Sequence, residues 1–479
     1  MAIDIMWNYL NSVIIRFRGC FSRDATFCTF VIILIGFMLN NDSAGITTII
    51  RTLGLIPNGY ETLVHYFRSN AWKLESVKAC WARIVKKSGF LFTEDDLPIF
   101  VADGVKQPKE GKKMPGVKRL HQESENSGKS EYIFGHMFGV IGVLVGSIDK
   151  FFCLPVSAAL HDGDKVMRGW QDQEYEPVSH VVQVIRDAFF VITEFGKAIL
   201  LLDAYYFTKP ALEELKRQRE QTQQELILVM RARMSTVAYT QPSPQKGRGR
   251  PRKKGTSVKL KKLFDTEEFI QTNVWLYGKE ETVLYLCKDL LWGPGLYEPL
   301  RFVLVKHGDK KVILVCTDLS FTAEQIIRLY GYRFKIEVTF RTLKQLLKGF
   351  AYHFWSAYMP KLNRFSKKGE SDPLAEVRNE KERCMILKTF RAIEGYVMMN
   401  LIAHGLLQLL CLKYSPIVEK SSFCWLRTSS KNVVSEATMS RFLRRDFFMQ
   451  FRKQALLPIL QIIRSRMESN DDSDLPGAA

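Results

Sequence analysis

Length, composition and charge limit what this chain can be. Its 479 residues are enough for about three domains of roughly 150 residues each. Hydrophobic residues make up 46% and charged residues 25%, which excludes wholesale disorder and a membrane bundle. The formal net charge of +19 predicts a polyanionic partner, because such a field repels itself unless counter-charge is bound. Nucleic acid is favoured over an anionic membrane.

Two features indicate a reducing cytoplasm. The apolar run Phe27 to Leu39 is shorter than the roughly 20 residues needed to cross a bilayer, and it lacks a signal-peptide cleavage site. We therefore predict a buried helix there and expect no membrane partner. Nine cysteines are scattered without a Cys-x-x-Cys pair, which argues against a zinc ribbon and against a disulfide framework.

Residues 1–95 are predicted to be a helical N-terminal DNA-binding domain. Five segments have apolar residues at helical spacing: Met6 to Phe17, Thr26 to Leu39, Gly45 to Leu53, Tyr60 to Ser69 and Leu74 to Lys86. A short turn at 54–59 permits a helix-turn-helix in which Tyr60 to Ser69 reads the DNA. A helical domain that only packs is the alternative, and the sequence leaves both open.

From Leu97 onward, short apolar runs bounded by Gly, Pro and Asp predict strands. The predicted strands are Pro98 to Ala102, Phe138 to Val145, Phe151 to Ala159, Ala198 to Leu202, Arg301 to Lys306 and Lys311 to Cys316. Helices are predicted at Val178 to Phe195 and Thr322 to Leu347. Strands and helices in this order predict an α/β layer fold.

Residues 211–299 are predicted to interrupt that fold as an insertion. The insertion starts with a predicted polar helix, Leu212 to Met234, and continues through a linker rich in Pro, Ser and Gln. The catalytic core is therefore expected in two parts, 96–210 and 300–350. A helical C-terminal region, 351–479, contains a predicted apolar helix from Cys384 to Leu412 and ends in an acidic tail.

Two aspartates follow predicted strands directly. Asp103 comes after the strand Pro98 to Ala102, and Asp203 comes after Ala198 to Leu202. Acids at the carboxyl ends of two neighbouring strands converge on one edge of an α/β sheet. Two divalent metals held there would neutralise the attacking and leaving oxygens of a phosphodiester. Taken singly, each aspartate fits a turn or cap equally well.

The predicted helix Thr322 to Leu347 supplies a third carboxylate. At about 100° per residue, one stripe within roughly 80° of arc holds Tyr330, Arg333, Glu337, Arg341 and Lys344. An apolar stripe beside it would seat the helix on the sheet, so the polar stripe is expected to face the sheet edge. A solvated charged face is the alternative, but it does not explain the presence of the tyrosine.

The spacing Tyr330-x2-Arg333-x3-Glu337-x6-Lys344 resembles the Tyr-Arg-Glu-Lys signature of bacterial insertion-sequence transposases of the DDE class, in the insertion-sequence-4-like group. Asp103-Gly104 and Asp203-Ala-Tyr-Tyr206 are also similar to that family. The resemblance implies a cut-and-paste DNA transposase with a ribonuclease-H-like catalytic core, acting as a homodimer in the nucleoid of a bacterial cytoplasm.

The resemblance also implies roles for individual residues. Asp103, Asp203 and Glu337 would hold two Mg²⁺ ions, for which Mn²⁺ could substitute. Contacts to the double-stranded DNA of the transposon ends and target are implied for Tyr330, Arg333, Arg341 and Lys344. Members of this group flip a base onto a tryptophan of the insertion, for which Trp275 and Trp292 are candidates. Another nuclease of the same fold, such as a resolvase, and a catalytically silent DNA-binding relative are the alternatives.

A basic segment in the insertion, Lys246 to Lys254, resembles an AT-hook. Its extended Arg-Gly-Arg-Pro core would place Arg248 and Arg250 in a narrow A·T minor groove. A basic loop that only adds phosphate affinity is the alternative. His121 and His136 flank a polar loop near the first aspartate, and structural roles are preferred for them over metal binding.

Overall fold

The computed structural model describes residues 2–40, 45–122, 130–161, 163, 165–171, 174–243, 251–276, 278–364, 372–424, 432–453 and 456–467. The helices are α1 (Ala2–Ile15), α2 (Asp24–Leu39), α3 (Ile46–Leu53), α4 (Gly59–Arg68), α5 (Leu74–Lys86), α6 (Lys165–Gln171), α7 (His180–Ile192), α8 (Lys209–Thr222), α9 (Leu260–Thr266), α10 (Ala323–Tyr332), α11 (Lys335–Gln345), α12 (Glu380–Tyr414), α13 (Glu436–Gln450) and α14 (Pro458–Arg464). The strands are β1 (Thr93–Glu94), β2 (Leu97–Pro108), β3 (Lys118–His121), β4 (Tyr132–Ser147), β5 (Lys150–His161), β6 (Ala198–Leu202), β7 (Leu226–Ala232), β8 (Val237–Tyr239), β9 (Ser257–Lys259), β10 (Ile270–Leu276), β11 (Lys279–Trp292), β12 (Glu298–His307) and β13 (Lys310–Cys316).

One mixed sheet organises the molecule, with strand order β3-β4-β2-β6-β7-β13-β12-β11-β8-β9. At its centre β5, β4 and β2 form an antiparallel meander, and β6 and β7 then run parallel to β2. β6 is buried along its whole length, as is β7 apart from its exposed Arg231, because helices cover both faces of parallel strands. The predicted α/β class is confirmed.

Helices cover the central strands and connect the two ends of the chain. α7 contacts β4, β5 and α8, whereas α11 lies against β5 and β2. α12 crosses β5 and contacts α2 and α4 of the N-terminal region and α13 of the C-terminal region. The two helical regions therefore share one layer over β5.

The long helix α12 is buried on all sides from Ala392 to Cys411. Within the described residues, the stretch Glu380–Ile417 is long and apolar enough to cross a membrane, and 94% of its most apolar window is buried inside the protein. α12 is accordingly the central core helix of the helical layer, as the apolar run from Cys384 predicted. α2, which contains the run Phe27 to Leu39, is buried as predicted.

The predicted helix Leu212 to Met234 is wrong in its second half. α8 ends at Thr222, where Gln223 adopts a left-handed conformation with φ of 55°. The run Leu226-Ile-Leu-Val-Met230 is then strand β7, which pairs in parallel with β6 and antiparallel with β13. An unbroken apolar run is favourable there because both faces of the strand are covered. The chain therefore leaves the central strands β2, β4, β5, β6 and β7 after β7 rather than at residue 211.

The prediction that the first strand ends at Ala102 is also wrong. β2 continues to Pro108, because β4 runs opposite it as far as Gly135. Asp103 consequently lies within a strand, paired with Val140, whereas Asp203 follows β6 directly as predicted.

Candidate active site

The register of β2 and β6 brings the two aspartates together. Val101 pairs with Leu201 across the parallel strands, and each aspartate lies two residues further along. Neighbouring strands lie about 4.8 Å apart, so Asp103 and Asp203 occupy adjacent positions at one edge of the sheet. Their side chains point to the same face because both lie two residues beyond the pair, and side-chain direction repeats every two residues.

Backbone N–H groups fix both carboxylates. Asp103 Oδ1 accepts a hydrogen bond from the Gly104 N–H at 2.7 Å, and Asp203 Oδ1 accepts one from the Tyr205 N–H at 2.9 Å. Asp203 therefore also has the turn role that sequence alone could not exclude. The bond to its own chain limits where each carboxylate can turn.

The third carboxylate lies on a helix that differs from the predicted one. Instead of a single helix from Thr322 to Leu347, α10 and α11 are separated at Arg333 and Phe334. The N–H groups of Ile336 and Glu337 bond three residues back, to Arg333 and Phe334, so the separation is a tight turn of 3₁₀ type. Glu337 follows this turn, in the first turn of α11.

Polar and apolar contacts seat α11 on the sheet. The Thr339 hydroxyl donates to the carbonyl oxygen of Cys153 in β5 at 2.6 Å, and Lys335 Nζ donates to that of Phe151 at 3.1 Å. Ile336 and Leu343 are buried on the same side. The apolar seat expected from the sequence is confirmed, and it directs the start of α11 toward Asp103.

Arg333 connects the strand and helix carboxylates. Its Nη1 donates to Asp103 Oδ2 at 3.4 Å, and its Nη2 donates to Glu337 Oε1 at 2.7 Å. The Arg333 side chain is 17% exposed, whereas that of Glu337 is 59% exposed. Tyr330 lies beside this arginine, half-buried against the core. The structure thus brings together Asp103, Asp203, Tyr330, Arg333 and Glu337.

Repulsion between carboxylates makes full ionisation of the site unfavourable. Burial and the nearby Asp203 carboxylate raise the pKa of Asp103 to about 6, although the Arg333 guanidinium and the Gly104 N–H act in the opposite direction. A raised carboxylate pKa means that the ionised form is disfavoured. A cation bound between the acids would relieve this cost.

The donor set fits Mg²⁺ or Mn²⁺ in kind, since both prefer carboxylate oxygens. Among the described residues, no three His, Cys, Asp or Glu side chains are close enough together to hold one ion as they stand. At this site the guanidinium of Arg333 lies between Asp103 and Glu337 and contacts both. Glu337 is mostly exposed, so it is free to turn from Arg333 toward an ion.

The other predicted DNA contacts lie further along α11 or outside the described residues. Arg341 and Lys344 are exposed further along α11. Arg248 and Arg250 belong to residues 244–250, which lie outside the described part of the chain. The end of that basic segment is described: Lys254 Nζ lies 4.1 Å from the ring centre of Tyr239, on β8.

The remaining candidates have different surroundings. Trp275, on β10, is 41% exposed, whereas the ring of Trp292 packs on that of Phe207 with centroids 4.1 Å apart. His136 is buried, and its Nδ1 and Nε2 lie within hydrogen-bonding distance of the Tyr352 hydroxyl and the Pro115 carbonyl oxygen. A structural role for His136 is therefore supported, in line with the preference from sequence.

Four residues near the acids escaped the sequence analysis. Tyr206 is buried, and its hydroxyl lies 2.8 Å from His180 Nε2. His180 Nδ1 lies 2.7 Å from His161 Nδ1, and His161 Nε2 lies 2.7 Å from Asp187 Oδ2. Only Tyr206 carried a signal, as part of the segment that begins at Asp203. Nothing in the spacing of the other three indicates that they meet.

The fold and site define an α/β protein in which three acids and an arginine converge on one sheet edge, a constellation suited to chemistry on a polyanion. A family model described as DDE superfamily endonuclease matches residues 16–271, and this chain belongs to that family. The match covers more than half of the chain and includes Asp103 and Asp203, but it ends before Glu337. The family implies a nuclease that acts on DNA.

Curated proteins and solved structures give no further indication of function. Among curated proteins, no relative matches the sequence. The NurA nuclease from Sulfolobus solfataricus is a similar solved structure at 10% identity, covering 61% of this chain and 98% of that one, with a TM-score of 0.21. A likeness of that size carries no argument about function.

Proposed function

We propose that this protein is a DNA transposase that binds transposon ends, cleaves them and joins them to target DNA by two-metal catalysis. The observation that carries the proposal is the arginine bridge: Arg333 links Asp103, from the first half of the chain, to Glu337, from the second half. The central strand order β5-β4-β2-β6-β7 supports a ribonuclease-H-like core beneath these acids. The family match supports nuclease chemistry on DNA.

Asp103, Asp203 and Glu337 would hold the metal ions. When bound, two Mg²⁺ ions would supply charge neutralisation for the attacking and leaving oxygens of a phosphodiester. Asp103 and Asp203 are held by the sheet and by backbone N–H groups, so they form the rigid half of the site. Glu337 forms the adjustable half, because it alone is mostly exposed.

Release of Glu337 from its ion pair would leave Arg333 with a guanidinium able to bind a DNA phosphate. Tyr330 lies beside that guanidinium and would define its position. Arg341 and Lys344 extend the basic surface along α11 and would hold the DNA backbone without reading its sequence. The net charge of +19 is consistent with such a partner. A homodimer that pairs two transposon ends in a bacterial nucleoid completes the proposal.

A DNA endonuclease without strand transfer is the second candidate, because the matching family is described by its endonuclease activity. Incubation of the full chain with Mg²⁺, a DNA fragment carrying the element's own genomic flanks and a target plasmid separates the two. A transposase should excise the element by double-strand cleavage and join its ends to the plasmid. Excision without joining would favour the second candidate.

Substitution of the acids tests the site itself. We expect Glu337→Gln, Asp103→Asn and Asp203→Asn each to lower the cleavage rate by more than about 100-fold while leaving folding and DNA binding nearly unchanged, because the amide keeps the shape but loses the charge. Double variants should lose little more, since the three acids form one unit. The exposed Glu220 on α8 provides a matched control, Glu220→Gln. A rate within about tenfold of wild type for the site variants, roughly 1.4 kcal/mol of barrier, would contradict the assignment.

A further inference from the structure

A partly buried chain of four polar side chains begins three residues beyond Asp203. Tyr206, His180, His161 and Asp187 are connected by three successive contacts of 2.8, 2.7 and 2.7 Å. The Tyr206 end lies in the loop after β6, three residues beyond Asp203, and the Asp187 end lies on α7. Each contact joins elements that are distant in sequence, so the chain exists only in the folded protein.

Two glycines make room for the histidines. Gly104 in β2 and Gly139 in β4 are direct cross-strand partners. A Cβ atom on Gly139 would lie 2.1 Å from Cε1 of His161, and one on Gly104 would lie 2.4 Å from Cε of Met137 and 2.9 Å from Nε2 of His180. Real Cβ atoms do not approach so closely, so a side chain at Gly139 would displace the His161 ring and one at Gly104 would displace Met137 and press on His180. The absence of side chains at this glycine pair therefore leaves room for the two imidazole rings.

With neutral imidazole rings, every hydrogen bond in the chain has one direction. Burial acts against ionisation of Asp187, but His161 and the side chain of Gln183 lower its pKa below the ordinary value. The ionised carboxylate only accepts, so a neutral His161 carries its proton on Nε2 and leaves Nδ1 as an acceptor. His180 then donates from Nδ1 and leaves Nε2 as an acceptor, to which the Tyr206 hydroxyl donates.

A hydroxyl has one hydrogen, so Tyr206 has only oxygen lone pairs left for the side that faces the acids. The Tyr206 N–H donates to the Asp203 carbonyl oxygen at 3.3 Å, and His180 Nε2, which contacts the Tyr206 hydroxyl, lies against Gly104, the residue after Asp103. A group that satisfies such a lone pair is a cation or an O–H donor.

We propose that Asp187, His161 and His180 are positioning residues that hold the Tyr206 hydroxyl as a hydrogen-bond acceptor for the attacking O–H group, a water or a DNA 3′-hydroxyl. This inference rests on the proposed function, because it assigns Tyr206 to the nucleophile of that reaction. Acceptance of this hydrogen bond would orient an oxygen lone pair of the nucleophile toward the phosphorus.

The direction of these hydrogen bonds can be measured without an activity assay. In the full metal-free protein with ¹⁵N-labelled histidine at pH 8, we expect NMR to show His161 protonated on Nε2 and His180 protonated on Nδ1. His161→Asn and His180→Asn variants assign the signals. A doubly protonated His161, or His180 protonated on Nε2, would overturn the proposal, since the tyrosine hydroxyl would then point at the acids.

Asp187→Asn should reverse the donor and acceptor roles in the hydrogen bonds from Asp187 to Tyr206. Gln183 Nε2 donates to Asp187 Oδ1 at 2.9 Å, so an asparagine would keep its oxygen there and offer its NH₂ to His161. Both histidines would change tautomer, and His180 would donate to Tyr206. We expect cleavage to fall by about 10- to 100-fold, as is typical when a group supporting a metal site is changed, with DNA affinity unchanged. The matched control is Asp309→Asn, at an exposed turn.

A double-mutant cycle with Tyr206→Phe separates positioning from structure. If Asp187 acts through the hydroxyl, Asp187→Asn should change the cleavage rate less than about threefold in the Tyr206→Phe background. An equal loss in both backgrounds would show a merely structural role and overturn the proposal. If the wild-type protein cleaves no DNA, the proposed function fails, whereas the histidine spectra still decide the direction of the chain.

Discussion

At the scale of single residues, the main feature of the site is that one guanidinium group pairs with two carboxylates. Arg333 pairs with Glu337 at 2.7 Å and with Asp103 at 3.4 Å, so the free protein neutralises part of the negative charge at the candidate site. The arginine that the family resemblance assigns to DNA is therefore engaged before DNA arrives. A DNA phosphate must compete with two carboxylates for it.

This pairing predicts a particular salt effect for Arg333. One lost phosphate contact reduces the slope of log K against log salt by about one. Arg333→Ala should weaken binding to the transposon end but reduce the slope by less than one, because the charge of Arg333 is already compensated in the free protein. Lys344→Ala should also weaken binding and reduce the slope if Lys344 contacts phosphate. Fluorescence anisotropy at several salt concentrations measures both slopes.

Lys453→Ala provides the control for this comparison. Its ammonium group pairs with Asp4 in the helical layer, so the slope should stay at the wild-type value. If Arg333→Ala and Lys344→Ala also leave the slope unchanged, both side chains pair within the protein and neither contacts phosphate.

At the scale of secondary-structure elements, a polar contact in the helical layer joins α12 to α13. Glu436, in the first turn of α13, lies 3.2 Å from His404 Nε2 and 3.1 Å from Gln408 Nε2, both on α12. Burial acts to raise the pKa of Glu436, but the bond to and charge of His404, with the bond to Gln408, lower it to about 2. This contact fixes how the C-terminal helices close over the core helix.

The lowered pKa of Glu436 predicts a pH-dependent contribution to stability. The unfolded carboxyl group titrates near its ordinary value of about 4.3, so its contribution is complete above that pH and is lost as the pH falls toward about 2. Glu436→Gln should lower the free energy of unfolding by about 2 kcal/mol at pH 7 and flatten its fall between those pH values. Urea unfolding at a series of pH values measures both effects. The same pH dependence in wild type and variant would show that other carboxylates cause the acid sensitivity.

At the scale of the whole molecule, strands of the predicted insertion and the strands that carry Asp103 and Asp203 share one sheet. β13 pairs with β7, and β12, β11 and β8 continue the sheet into the insertion. The basic segment 246–254 ends against this extension, where Lys254 packs on Tyr239. Any DNA held by that segment is therefore held by a surface continuous with the active site.

The basic segment predicts a preference for A·T-rich DNA. The other basic residues of the chain, as phosphate contacts, predict no such preference. If Arg248 and Arg250 enter a minor groove, changing both to Ala should weaken binding to an A·T-rich duplex more than to a G·C-rich duplex of equal length. We expect a modest A·T bias, since Gly247, Gly249 and Pro251 suit an extended strand that approaches DNA closely. Gel-shift titrations at one fixed salt concentration measure it. Equal losses on the two duplexes would leave only phosphate contacts, which carry no sequence information directly.

The sequence by itself determined the features that depend on neighbouring residues. Helical spacing gave the N-terminal helices and α12, and the apolar run before Asp203 gave β6 with that acid at its end. The signature placed Tyr330, Arg333 and Glu337 within one stretch of chain, where the structure also brings them together. These features need no knowledge of the rest of the fold, because periodicity and strand-end positions are local.

The tertiary structure decided the features that depend on distant partners. The run Leu226 to Met230 is a strand because β6 and β13 lie on either side of it, although its own pattern is equally compatible with the end of a helix. The Arg333 pairing with Asp103 and the chain from Asp187 to Tyr206 join residues that only sheet register and the packing of α7 and α11 bring within hydrogen-bonding distance. Directional hydrogen bonds require positions fixed to within a few tenths of an ångström. No local pattern in the chain encodes those positions.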